Sequence, residues 1–216
     1  MPELPEVETV RLGLAENLTD AKVLAVTVHD PRSLRRHLAG SRDFIQTQTD
    51  RSVESAVRRG KFLWLPLSVK KNETPIALMG HLGMSGQLLL RTTDFAAEAL
   101  NRITITLRCS DRNKLELRFV DQRIFGSLAI DVMEPTADGL AGGYSNSPAK
   151  SRWENLIPSQ AKHIARDPLD VNFNPDQVLR RFRQKNSGIK RVLLDQQVIS
   201  GIGNIYADES LWRARI

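Results

Sequence analysis

The chain has 216 residues, enough for one large domain or two smaller ones and for a sizeable apolar core. Its 31 Lys and Arg outnumber 25 Asp and Glu, leaving a charge of +6, an excess that suits a polyanion such as nucleic acid. A single cysteine, Cys109, excludes an internal disulfide and a multi-cysteine zinc site within this sequence, and no apolar run approaches the ~18 residues of a membrane helix. With no basic and apolar leader at the N-terminus, the expectation is a soluble cytoplasmic protein.

Taken in order, Glu6 to Leu18 places Val7, Val10, Leu14 and Leu18 at three- and four-residue spacings, which predicts an amphipathic helix weakened by Gly13. Lys22 to His29 alternates as a strand, and Asp30-Pro31 ends it. Arg32 to Gln46 is basic and irregular, with room for a short helix. Short strands follow at Val53–Arg58, Lys61–Leu67, Ile76–Met79 and Gly86–Leu90, separated by Gly or Pro. Thr92 to Asn101 is polar and reads as a mobile loop. Arg102–Cys109 and Lys114–Val120 alternate strictly across a turn at Ser110–Asn113, and Ser127–Val132 continues the pattern. This cadence predicts a sandwich of two sheets flanked by the first helix.

The character changes after Met133. Residues 134–151, rich in Gly, Pro, Ala and Ser, are expected to be a linker between a 1–133 sandwich and a helical 152–216 unit. Asn174-Pro175-Asp176 signals a helix start, a second helix is expected over Ile189–Gln197, and a third from Asn204 to Trp212 after the turn Ser200–Gly203. The fold class is therefore α+β.

Four stretches carry chemistry. Once the initiator methionine is trimmed, Pro2 presents a secondary amine, and an α-amino group titrates near ~8 against ~10.4 for lysine. Such an amine can form an iminium with an aldehyde-level carbon. Glu3 beside it and Glu6 one turn on are candidate acid and base groups, although proline and acids also suit the first turn of a helix. His81-Leu-Gly-Met-Ser-Gly86 and Asp121-Gln-Arg-Ile-Phe-Gly126 are glycine-punctuated turns at strand ends. Their Met84, Arg123 and Phe125 either pack in the core or serve as wedge and donor for a protein that pulls a base from duplex DNA. Ser200-Gly-Ile-Gly-Asn-Ile-Tyr206 leads glycines into a helix N-terminus, a place that attracts phosphate, and Asn204 either caps that helix or holds the anion. Lys185, Lys190 and the arginines at 180, 181, 183 and 191 precede it in the sequence.

Together these stretches resemble the formamidopyrimidine-DNA glycosylase family. PELPEVET at 2–9, RRGKFLWL at 58–65, HLGMSG, DQRIFG, KRVLLDQ and GIGNIYADESLW follow the family's order and spacing from Pro2 to the last residue. The resemblance implies an N-terminal β-sandwich joined to a helix–two-turns–helix domain, with duplex DNA carrying oxidised bases across the cleft. It implies Pro2 as nucleophile at C1′, Glu3 as acid/base with Glu6 in support, and Lys61 in elimination and phosphate binding. His81, Lys185 and Asn204 would hold phosphates, Met84, Arg123 and Phe125 would fill the vacated stack, and Lys190 would lie near the site. A bacterial, nucleoid-associated monomer follows. Within the superfamily, an endonuclease VIII-like enzyme for oxidised pyrimidines stays open, as does a chain that only binds damaged DNA. The family's zinc ion, in a four-cysteine finger, would bind beyond residue 216, and Ile124 stands where members often carry a polar or basic residue.

Overall fold

A computed structural model describes residues 2–146 and 151–216. Helix α1 (Leu4–Leu18) begins two residues earlier than its apolar spacing suggests. Glu3 is extended at its N-cap, and the Glu6 carboxylate turns back to accept the Glu3 N–H at 2.9 Å. That reciprocal arrangement satisfies one of the donors a helix start leaves open. Strand β1 (Lys22–Val28) follows as expected. The basic stretch after it resolves into a 3-10 turn at Pro31–Leu34 and a short helix α2 (Gly40–Gln48).

Strands β2 (Val57–Arg59), β3 (Phe62–Leu67), β4 (Ile76–His81), β5 (Gln87–Thr92), β6 (Asn101–Arg108), β7 (Lys114–Val120), β8 (Ser127–Pro135) and β9 (Leu156–Pro158) complete two antiparallel sheets. One sheet has the order β1-β6-β7-β5, the other β2-β3-β4-β8-β9. The strand expected over Val53–Arg58 survives only at its end. Residues before it bridge singly, Val53 to Leu67.

The five-stranded sheet is buried on both faces, which explains why Phe62-Leu-Trp-Leu-Pro-Leu67 shows no alternation. Leu63, Leu65 and Leu67 face the core between the sheets with Ile103, Ile105 and Phe119, while Phe62 and Trp64 meet a second cluster containing Trp153, Ile157 and Ile164. Burying side chains of this size contributes about 1.5–3 kcal/mol each.

Three expectations change. The polar stretch after β5 is tied down: Glu98 pairs with Arg91 at 2.8 Å and Arg118 at 2.5 Å, and Arg118 also donates to the carbonyls of Phe95 and Ala96. Strand pairing runs past the composition change at Met133, because β8 continues to Pro135 and β9 pairs with it. Tyr144, inside the expected linker, bridges Arg58; positions 147–150 of that linker lie outside the described residues. The helical part holds α3 (Pro175–Arg183), capped by the Asn174 side chain, then α4 (Ile189–Leu193) and α5 (Asn204–Ala214). Helix α4 stops four residues short of the expected Gln197, because Asp195 turns the chain by accepting the Gln197 N–H and pairing with Lys185.

Candidate active site and nucleic-acid face

The N-terminus is sewn into the turn before α5. Leu4 donates its N–H to the Gly201 carbonyl at 3.0 Å. The Glu3 carboxylate accepts the N–H groups of Gly203 (2.7 Å), Ile205 (2.9 Å) and Tyr206 (3.2 Å). It is 3% exposed. The helix start that looked open to phosphate is thus occupied by an internal carboxylate, and Asn204 does not cap it. Gly203 is required by proximity: a Cβ there would sit 2.5 Å from the Glu3 carboxyl carbon.

Beside this clamp, Pro2, Lys61 and His81 line one small cleft, and Lys61, His81 and Asn204 share an adjoining cavity of about 260 Å³. Lys61 donates to the Ile202 carbonyl at 3.0 Å. Burial pushes its ammonium below the usual lysine range, against the opposing pull of Glu3. A lysine in that condition gives up a proton more readily. His81 is brought down to about 4, first by burial and then by Arg36, Arg35 and Lys61. Its Nδ1 accepts the Gly83 N–H at 3.2 Å, so the neutral ring carries its proton on Nε2, a donor suited to a phosphate oxygen. Arg36 lies over the Phe62 ring at 5.4 Å, and that ring meets His81 at 4.8 Å with the two planes tilted by 54°. The sequence reading did not single out Arg35 and Arg36; their signal was the basic run at 32–36.

Met84 and Phe125 are each 46% exposed, and Arg123 is exposed with its guanidinium 3.9 Å from the Met84 sulfur. Core packing, the alternative for these residues, is excluded. Asp121, fully buried, organises both loops: it accepts from Ser85 Oγ (2.6 Å), Arg123 N (3.1 Å) and Gly126 N (2.8 Å). Gly83, at φ +63°, lets the loops close, since a Cβ there would lie 2.5 Å from Gly126 N. Arg35 donates to the Phe125 carbonyl. Asp121 and Ser85 were also missed, because only the folded contact reveals them.

The helical cations are less directly engaged. Lys185 is paired with Asp195 at 2.9 Å and Lys190 with Asp208 at 2.6 Å, and neither lines the cavities at Lys61. Beneath α1, the fully buried Arg11 and Arg58 share Glu8, and Arg58 reaches Asp167 at 2.7 Å. Burial opposes ionisation of Glu8, but the two arginines hold its carboxyl below the usual range. Asp167 also accepts the Gly60 N–H at 2.9 Å, fixing the backbone next to Lys61. No three His, Cys, Asp or Glu side chains are placed to hold a metal among the described residues.

A two-sheet sandwich whose first residues cap a helix of a helix–two-turns–helix unit, with a cationic cleft and an exposed apolar wedge, is the architecture of a base-extracting DNA repair protein. Models of the formamidopyrimidine-DNA glycosylase N-terminal domain and H2TH domain match residues 1–128 and 164–216. The chain belongs to the formamidopyrimidine-DNA glycosylase family. It is 50% identical over 218 residues to the formamidopyrimidine-DNA glycosylase of Leifsonia xyli subsp. xyli, covering all of this chain and 70% of that protein. The Nocardioides protein of the same name is 48% identical, with 64% of its length covered. Among solved structures, Lactococcus lactis Fpg bound to abasic-site DNA superposes with a TM-score of 0.72 at 27% identity, over 99% of this chain and 67% of that one. MutM bound to DNA containing carbocyclic 8-oxo-G gives 0.72 at 28%, over 100% and 70%.

Proposed function

We propose that this chain removes oxidised purines, such as 8-oxoguanine and formamidopyrimidines, from duplex DNA and then cleaves the strand. The observation that carries the reading is the Glu3 carboxylate, fixed by three N–H groups next to the residue that supplies the amine. The Pro2 nitrogen attacks C1′, the C1′–N bond breaks, and the base departs with that electron pair and takes a proton from solvent. Glu3 passes the proton released by the Pro2 nitrogen to O4′ as the C1′–O4′ bond breaks, which opens the sugar and leaves an iminium between Pro2 and C1′. The iminium acidifies the C2′ proton; its removal expels the 3′ phosphate by breaking the C3′–O bond. Lys61 relays protons in this elimination and faces phosphate, with Glu6 holding Glu3 in place.

Flipping a base costs a few kcal/mol, and Met84, Arg123 and Phe125 offset part of it by filling the gap. His81 and Asn204 hold backbone phosphates. Lys185 and Lys190 join them by exchanging their carboxylate partners for phosphate. The zinc site implied by the resemblance would lie beyond residue 216, and no step here passes through it. We read the working form as a monomer on DNA in the bacterial nucleoid. Relatives and structural neighbours named for formamidopyrimidine and 8-oxo-G chemistry support the purine reading.

Borohydride reduction provides the test. The chain should become covalently linked to an 8-oxoguanine duplex, and Pro2→Gly or any residue left ahead of Pro2 should abolish the link. Equal trapping by an N-terminally extended protein would overturn the nucleophile.

A further inference from the structure

A cavity of about 720 Å³ that Lys61 does not line lies between the segment after β8, the turn at 162–166 and α3. That volume falls within the ~300–1,000 Å³ of small-molecule sites. Arg59, at the end of β2, lines it and is 7% exposed. Its guanidinium makes only two long contacts, 3.4 Å each, to the carbonyls of Ile164 and Ala141, and its Nε has no partner among the described residues. No described carboxylate comes within 4.0 Å of it. Positions 147–150 are Ser, Pro, Ala and Lys, and bring none.

The acids nearby are committed elsewhere. Asp138 and Asp170 both pair with Arg166 at 2.7 Å, and Asp167 with Arg58. Burial first and Arg166 second push the Arg59 guanidinium down to about 10, while Asp170, Asp138 and Asp167 pull the other way. With no carboxylate bonded to it directly and its Nε unmet among the described residues, the buried guanidinium keeps donors free for a further acceptor. Arg181 lines the same cavity, its side chain bonded only to the Gln197 carbonyl at 3.0 Å among the described contacts. The half-buried ring of Phe173 and the amide of Gln177 line it too. A cation pair, an aromatic face and an amide are the elements that hold a phosphate and a nucleobase.

We propose that this cavity is a second ligand site that takes a nucleoside monophosphate, its phosphate on Arg59 and Arg181 and its base against Phe173. The site is independent of the base-excision reading.

Isothermal titration calorimetry on the full chain tests it, with dGMP, deoxyguanosine and inorganic phosphate as probes. dGMP should bind, phosphate at least tenfold more weakly, and deoxyguanosine without measurable heat. Arg59→Met should weaken dGMP at least tenfold. Arg181→Gln, an exposed change, should weaken dGMP severalfold and covers the event that Arg59→Met does not fold. An abasic-site duplex should leave dGMP bound. No binding of dGMP, unchanged binding in either variant, phosphate binding as tightly as dGMP, or displacement by the duplex would each overturn the proposal.

Discussion

Two glycine-punctuated stations flank the proposed nucleophile, and each is organised by one buried carboxylate. In the wedge loops, Asp121 gathers Ser85, Arg123 and Gly126, and the glycines bring two backbones together so that Met84 and Phe125 stand out into solvent. In the turn before α5, the glycine does the reverse: Gly203 leaves the space that Glu3 enters. The first station displays side chains and the second receives one. Glycine spacing alone does not distinguish them. The difference lies in where the carboxylate comes from, two to five residues away for the Asp121 backbone bonds and 200 for Glu3 to Gly203.

The largest test of that contrast is Glu3→Gln. If the carboxylate is a proton-transfer group held by a helix end, excision should fall by about 10²–10⁴-fold while affinity for an abasic-site analogue persists. Affinity falling as far as activity would reduce Glu3 to a clasp between domains. Gly203→Ala should act in the same direction by crowding the same carboxyl carbon.

Asp121→Asn replaces an acceptor oxygen by a donor and leaves at least one loop N–H unmet, at a cost of about 1–3 kcal/mol. Melting temperature should drop, and 2-aminopurine fluorescence should report less base extrusion. Unchanged extrusion would show that the wedge does not depend on its buried carboxylate.

Ile124 sits between the wedge residues at φ +56°, a left-handed conformation costly for a β-branched side chain. Ile124→Asn should raise stability by about 1 kcal/mol in denaturant unfolding, with excision unchanged. No gain would mean that the apolar side chain contributes enough packing to offset its backbone.

The smallest effect concerns His81, whose ring accepts from Gly83 in the same station. Its folded value near 4 lies below the ordinary 6.5, so the unfolded chain takes the proton first. The stability it contributes is fully present above 6.5 and is lost as pH falls towards 4. Between pH 7 and 6 that amounts to roughly 0.7 kcal/mol. His81→Gln should flatten this part of the melting-temperature profile.

Much of this was legible in the sequence because it is local. Alternation wrote β1, β6 and β7, and Asn174-Pro175 wrote the start of α3, while the glycine-punctuated turns left core packing and exposure of Met84 and Phe125 both open. What was not legible depends on distant partners. Three residues ending in proline become β9 only because β8 offers an edge. The loop at 92–101 looked free because nothing in its own composition shows that Glu98 will meet Arg91 and Arg118. Asn204 looked like a cap because the real one is at the other end of the chain. Arg35 and Arg36 were only part of a basic, irregular stretch until the fold set them against Phe125 and Phe62.

The bond between residue 3 and residue 203 also fixes an order of events in time. A ribosome makes the N-terminus first, at ~5–20 residues per second, so about 10–40 s separate the synthesis of Glu3 from that of its partners. The sandwich can collapse within that interval, but the carboxylate stays unclasped until α5 has been made and has docked. On the proposed mechanism, competence for chemistry therefore arrives late. A chain interrupted before residue 203 would carry Glu3 without the three N–H groups that hold its carboxylate.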